Sequence, residues 1–177
     1  METFVAIDFE TADTGADSAC AAGLVRVERG VIVAEAVRLI RPPRPHVRFT
    51  HIHGLTWEDL KDAPTFGQVW PELAPLFEGV DFAVAHNSSF DRRVLMACCQ
   101  AHGLAMPNVP FRCTVQMARQ TLRIFPTKLS NVCEALGLEL KHHEALSDAR
   151  ACANIAIRAL AASATPASPT SAAPLNA

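Results

Sequence analysis

Asp8 and Glu10 stand two residues apart in the apolar stretch FVAIDFET. If that stretch is a strand, alternate side chains leave the same face about 6–7 Å apart, so both carboxylates point one way. Two acids on one face of an apolar strand are costly unless a cation neutralises them. A hard divalent ion such as Mg²⁺ or Mn²⁺ prefers oxygen ligands and would do so; a strand that frays into solvent at Asp8 is the structural alternative. Asp91 follows the apolar run FAVAHN and falls in the first turn of the next helical pattern. Ser88-x-x-Asp91 has the spacing of a capping box, yet a strand end leading into a helix is also where α/β sheets place ligand-binding groups. His143 and Asp148 share the segment HHEALSDA. Five residues at 100° each would set them about 140° apart on a helix, so they converge only if His143 lies on the loop before it.

Periodicity assigns the elements that must position these groups. TFVAIDFE, CAAGLVRVERG and VIVAEAVRLI alternate as strands, and Arg29-Gly30 marks a tight turn, so an antiparallel meander opens the chain. RPPRPH breaks the pattern. TFGQVWPELAPLFEG then has helix-period apolar positions at Phe66, Val69, Trp70, Leu73 and Phe77, with Pro71 and Pro75 expected to kink or end the helix. DFAVAHN reads as a short strand, and SSFDRRVLMACCQAHG as a helix capped by Ser88 or Ser89 with Gly103 near its end. FRCT is a short strand, TVQMARQTL a helix, KLSNVCEALGLEL a helix ending near Gly137, and EALSDARACANIAIRALAA a long amphipathic helix. Strands first, then mixed strands and helices, imply an α/β layer architecture with a mixed sheet. The folded unit is expected over residues 1–162; the uncharged, proline-containing stretch 163–177 reads as a disordered tail.

Composition bounds the function. Half of the 177 residues are hydrophobic and 19% are charged, which is too apolar for a disordered chain. No apolar run is long enough to span a bilayer, so no membrane partner is expected. METFVAIDFE lacks the basic leader of a secretory signal, and a cytoplasmic location is expected. The six cysteines show no two-residue metal or redox spacing and read as buried free thiols. With 16 Lys+Arg against 18 Asp+Glu, the net charge of -2 lacks the basic signature of a simple nucleic-acid binder. The charge is uneven, however: residues 1–80 carry net -5 and residues 81–177 net +3. From Ala36 to Trp57 there is no carboxylate, only Arg38, Arg41, Arg44 and Arg48 with His46, His51 and His53. That run could track phosphates or be an ordinary solvated loop.

In combination these motifs are more specific than any one alone. The ordered set Asp8-Phe9-Glu10 with Thr11, HNSSFD ending in Asp91, and His143 to Asp148 resembles the DEDD superfamily of 3'-5' exonucleases. Within it, the chain is similar to the branch that includes the proofreading epsilon subunit of bacterial DNA polymerase III. The stretch IHGLT at Ile52 to Thr56 also looks like this family, and the resemblance runs from about Thr3 to Leu160. The superfamily divides by whether its general base is His or Tyr. The chain has no tyrosine, and His143 stands in the expected place for the His branch. Proofreading subunits usually read Asp-Thr-Glu-Thr-Thr-Gly at the first motif, whereas this chain reads DFETAD, which makes a stand-alone exonuclease as plausible as a polymerase subunit.

The resemblance implies a ribonuclease-H-like fold with a central mixed sheet flanked by helices. It also implies a cage of Asp8, Glu10, Asp91 and Asp148 holding two divalent cations, Mg²⁺ or Mn²⁺, with Asp8 as the bridge. Such an ion pair can activate water, clamp the phosphate and stabilise the leaving 3'-oxygen. A neutral His143 would take the proton of the water. By the same resemblance, Thr11, His53, Leu55, Ser88 and Phe90 contact the terminal nucleotide. The partner expected is a nucleic-acid 3' end, single-stranded DNA first and RNA second, shortened to nucleoside 5'-monophosphates. An exoribonuclease or oligoribonuclease and a non-catalytic nucleic-acid-binding or polymerase-associated module are the alternatives. A DNA polymerase or other replication or repair partner remains open. Two bound divalent ions would take the formal charge from -2 to about +2, so nucleic-acid affinity should depend on metal.

Overall fold

The computed structural model describes residues 2–164. The first three apolar stretches form β1 (Phe4–Thr11), β2 (Ala19–Glu28) and β3 (Val31–Leu39), paired as an antiparallel meander. Arg29 and Gly30 join β2 to β3 with φ of 52° and 81°. Two successive residues of positive φ make the mirror-image turn whose twist suits a hairpin. β4 (Phe82–Ala85) pairs in parallel with β1, and β5 (Phe111–Cys113) in parallel with β4, giving the order β3-β2-β1-β4-β5. The sheet is therefore mixed, as the strand pattern implies, and β1 is its centre.

Among the described residues seven α-helices accompany it: α1 (Thr50–His53), α2 (Trp57–Leu60), α3 (Phe66–Leu73), α4 (Ser88–Ala101), α5 (Thr114–Gln120), α6 (Leu129–Leu136) and α7 (Ala145–Ala164). Val5, Ile7, Phe9 and Leu24 pack one sheet face against α3 and α4. Phe4, Ala6, Val25 and Val27 pack the other against α5, α6 and α7. Asp8 and Glu10 share the parity of Phe4 and Ala6, so alternation turns both toward α7. β4 pairs only with Phe4 to Ala6 of β1. The second half of β1, which carries both acids, thus runs past the carboxyl end of β4, where α4 begins.

Several local expectations are modified. All five apolar positions from Phe66 to Phe77 are buried, but Pro71 removes a helical N–H, and the chain tightens into a 3₁₀ turn over Ala74–Phe77 with Pro75 at its start. Neither Ser88 nor Ser89 caps α4. The cap position is Asn87, in the left-handed region at φ 69°, with no side-chain cap bond, so the Ser88-x-x-Asp91 box does not form and Asp91 is free for another partner. The proline- and histidine-rich stretch contains two single-turn helices, α1 and α2, that its composition hides; α2 is closed by a capping box between Thr56 and Asp59. α7 continues through Ser163 and Ala164, past the boundary expected at 162. The rest of the expected tail, 165–177, lies outside the described residues. All six cysteines are free, and all but Cys113 are buried. No helix among the described residues is long and apolar enough to cross a membrane.

One glycine sets how closely α7 approaches the acids. Gly23 on β2 pairs directly with Asp8, and a Cβ there would overlap the Ala145 carbonyl and crowd the Leu146 N–H at the start of α7. Both obstacles are backbone and cannot swing aside. Gly23→Ala is therefore expected to push the α7 start off the sheet and to cost about 1–3 kcal/mol, the usual penalty for overpacking. Urea denaturation should show the lowered midpoint, and a midpoint equal to the wild type would contradict the contact.

Candidate active site

Four acids converge from three elements. Asp8 and Glu10 leave β1 half-buried, Asp91 comes from the first turn of α4, and Asp148 from the first turn of α7. Asp91 and Asp148 are buried, at 1% and 4% exposure. Carboxylate oxygens of Asp8, Glu10 and Asp148 lie within 4.8 Å of one another. Asp91 is held at the strand edge: its Oδ1 accepts the Phe9 N–H at 3.0 Å, in the part of β1 that β4 does not reach. Asp148 uses one oxygen inward and one outward. Oδ2 accepts the His143 N–H at 3.2 Å and lies 3.1 Å from His142 Nδ1, whereas buried Oδ1 has no hydrogen-bond partner.

Burial and mutual repulsion hold these groups toward their protonated forms. Asp8 lies well above the ordinary carboxylate range because of burial first, then the charges of Asp91, Asp148 and Glu10. Glu10 is raised to about 7 by burial and by Asp148. Asp91 is raised to about 8, mainly by burial, against the lowering effect of the Phe9 N–H. Burial also raises Asp148. Among the described residues no Lys or Arg pairs with any of the four. An all-oxygen cluster with a buried, unpartnered Oδ1 and no internal cation fits hard divalent ions.

His143 sits where convergence requires. It lies on the turn before α7 with φ 66°, and its backbone N–H, not its ring, is bonded to Asp148. Its ring stacks on His142 with centroids 3.8 Å apart, and burial lowers its pKa below the usual 6.5, so the imidazole is neutral at pH 7. The adjacent His142, which the sequence reading passed over, is the ring in contact with the Asp148 carboxylate; only the doublet of histidines hinted at it.

Asp8, Glu10 and Asp148, with His142 and His143, open into a cavity of about 490 Å³, and Asp91 lies behind them, outside its lining. Thr11, His53 and Phe90 line it, together with Phe49, Ile52, His86, Lys128, Leu129 and Ser130, which were not singled out from the sequence. Leu55 and Ser88 do not. Leu55 instead packs against Ala12, Cys20 and Leu60. His53 presents its ring to the cavity with both nitrogens engaged: Nδ1 accepts the Leu55 N–H at 3.1 Å, which leaves the proton on Nε2 to donate to the Thr11 carbonyl at 3.2 Å. It fastens α1 to the end of β1 and has no N–H left for a phosphate. The arginine run is likewise partly committed. Arg44 bridges Asp13 and Asp17 at 2.6 Å each, and Arg38 pairs with Glu72 at 2.9 Å, so these two do not form a free phosphate track.

Comparison with known proteins bears on this geometry. A family model described as exonuclease (RNase_T) matches residues 5–156. The PolC-type DNA polymerase III of Thermotoga maritima is 36% identical over 161 residues, covering 88% of this chain and 12% of the relative. Exodeoxyribonuclease 10 of Escherichia coli K12 is 34% identical over 136 residues, covering 70% of this chain and 54% of the relative. The chain thus spans a small part of the polymerase relatives and about half of the exodeoxyribonuclease. Among solved structures, exonuclease X in complex with 5' overhanging duplex DNA is similar over 90% of this chain and 92% of that one, with a TM-score of 0.69 and 28% identity. The nuclease domain of 3'hExo, at TM-score 0.76 and 21% identity over 90% of this chain and 92% of its own, shares the ribonuclease-H-like fold.

The raised carboxylates give a pH signature. An acid whose folded pKa exceeds its unfolded value stabilises the fold fully at low pH and loses that contribution as pH rises through the folded value. For Glu10 at about 7 and Asp91 at about 8, the loss begins near the unfolded carboxylate values of about 4 and runs up to the folded ones, so its last part falls between pH 7 and 8.5. His53, His86 and His143 are lowered from 6.5, so they are neutral in both states across this window and do not oppose it. Asp13 and Asp17 are lowered and act only in acid. With chelator present, Tm is expected to fall from pH 7 to 8.5, and Mg²⁺ or Mn²⁺ should flatten the fall. A chelated protein whose Tm is level across that range would contradict the electrostatics of the cage.

Proposed function

Since the chain belongs to the exonuclease family, we propose that it is a divalent-metal-dependent exonuclease that removes nucleotides from the 3' end of DNA, single strands first. The observation that carries this reading is the convergence of Asp8, Glu10 and Asp148 within 4.8 Å, with Asp91 tied to the same strand and the neutral imidazole of His143 beside them. The carboxylates of Asp8, Glu10, Asp91 and Asp148 would hold two ions, Mg²⁺ or Mn²⁺. When bound, such ions supply Lewis-acid stabilisation of the phosphate and of the departing 3'-oxygen.

The residues of the chain do the rest. The 3'-terminal nucleotide enters the cavity against Phe90 and Thr11, where an aromatic and apolar wall accepts any base. Asp148 fixes the turn that carries His143 through the His143 N–H, so the imidazole stands at the mouth of the cage. A ring nitrogen of His143, neutral at pH 7, accepts a proton from the attacking water. The water oxygen bonds to phosphorus, the bond from phosphorus to the 3'-oxygen breaks, and that oxygen gains a proton. The products are a nucleoside 5'-monophosphate and a chain shorter by one nucleotide. DNA is favoured over RNA because the relatives at 34% and 36% identity are named for DNA. The PolC-type relatives make a DNA polymerase the first partner to test by co-purification.

A parallel assay of 5'-labelled DNA and RNA oligonucleotides, with product identification, tests the proposal. Stepwise shortening from the 3' end, faster on DNA and stopped by chelator, is the expected result. Folded, metal-replete protein that leaves both substrates intact would overturn the catalytic reading, and faster shortening of RNA would reassign the substrate. His143→Ala should lower kcat by about 10²–10⁴ while leaving the metal titration unchanged, as expected for a lost general base. Asp8→Asn should weaken divalent binding measured by calorimetry, and an unchanged titration would contradict its place among the residues that would hold the ions.

A further inference from the structure

The loop from 121 to 128, between α5 and α6, is pinned more firmly than a connection needs. The Leu122 and Ile124 N–H groups donate to the carbonyls of Met117 and Ala118 at 3.1 and 3.0 Å, and both side chains pack against the α7-side core. At its far end the Thr127 carbonyl accepts from His86 Nε2 at 2.9 Å. The other nitrogen, Nδ1, accepts from the buried Thr114 hydroxyl at 2.8 Å, so the imidazole is a neutral brace from β4 to the loop.

On this braced frame, Phe125 stands 65% exposed, more than any other large hydrophobic side chain described. The sequence around it, TLRIFPTK, contains no acid. Among the described residues, Arg123 and Lys128 form no ion pair. Lys128 is also the one Lys or Arg lining the acidic cavity, again among the described residues. A loop that only connects α5 to α6 has no use for an outward aromatic ring between two unpaired cations. Single-stranded nucleic acid has a use for both: bases stack on aromatic faces whatever their identity, and phosphates pair with ammonium groups. Phe125 and Lys128 are three residues apart, at most about 11 Å, a span that about three stacked bases cover at ~3.4 Å each.

We propose that the loop from Thr121 to Lys128 is a second nucleotide subsite, in which Phe125 stacks on a base upstream of the nucleotide being removed and Lys128 pairs with a backbone phosphate leaving the cavity. The inference rests on the exonuclease reading and adds to it a preference for substrate length. The subsite draws in a polyanion that the acids of the cavity would otherwise repel, and His86 holds it at a fixed distance from the cage.

The test compares a DNA dinucleotide with a DNA octamer in metal-replete enzyme. The wild type should show a lower KM on the octamer, and Phe125→Ala should compress the ratio of the two KM values by roughly tenfold, the scale of one lost stack. Phe125→Trp should restore the ratio and Phe125→Leu should not, which separates stacking from apolar packing. Lys128→Ala should reduce the slope of log KM against log salt on the octamer by about 0.7, the loss of one phosphate contact, and Lys128→Arg should recover it. A wild type that shortens neither oligonucleotide overturns the reading of DNA as the substrate, on which the subsite rests. If the wild type is active and Phe125→Ala keeps the same ratio, or shifts both KM values equally, only the subsite is overturned.

Discussion

The hydrogen bond from the Phe9 N–H to the Asp91 carboxylate is the joint on which the site turns. β4 is too short to pair with the second half of β1, so the N–H of a buried strand residue would be left without a partner there. A buried, unsatisfied amide costs about 1–3 kcal/mol. Asp91 fills that position with its Oδ1, and in doing so brings the start of α4 and a negative charge to the open edge of the strand. The same vacancy in the sheet lets Asp8 and Glu10 project past the last parallel pair. A longer β4 would satisfy the ladder and exclude the fourth acid.

The second constraint is that the acids are placed against their own electrostatic preference. Each is raised, with burial the leading cause. Among the described residues no Lys or Arg forms an ion pair with them, and Arg44, for one, is spent between Asp13 and Asp17. The absence of a Cβ at Gly23 and the alanine-rich face of α7, with Ala145, Ala149, Ala153 and Ala156 buried, allow close approach of helix to sheet. The compact arrangement of acids is tolerable in the protonated state and would be favourable with divalent cations bound.

What was legible in the chain follows from which interactions are local. Alternation on β1 sends Asp8 and Glu10 to one side, and helical angles place His143 off α7; both follow from backbone geometry alone and hold in the fold. The meander, the Arg29-Gly30 turn and the buried positions of α3 were equally accessible because they depend on residues close in sequence. Ser88 looked like a cap by spacing, but the left-handed Asn87 removed the geometry a cap requires, and Asp91 found its partner 82 positions away. His53 looked free to meet a phosphate, and its two nitrogens are consumed by Leu55 and Thr11 across a tertiary contact. His142 and Lys128 acquire meaning only when α7 and α6 are brought to the same cavity. Residue type and period reveal direction; they do not reveal which long-range partner arrives first.

The four carboxylates come from β1, from α4 and from α7, spread over nearly the whole described chain. During synthesis, domains build from the N-terminus at about 5–20 residues per second, and the strand bearing Asp8 and Glu10 emerges long before the helix bearing Asp148. Until α7 docks, the cage lacks its fourth wall and His143 lacks the carboxylate that anchors its turn. A nascent or truncated chain that ends before α7 therefore cannot assemble the site, however well its sheet has formed. With Asp148 on α7, the four acids come together only once that helix has docked on the sheet.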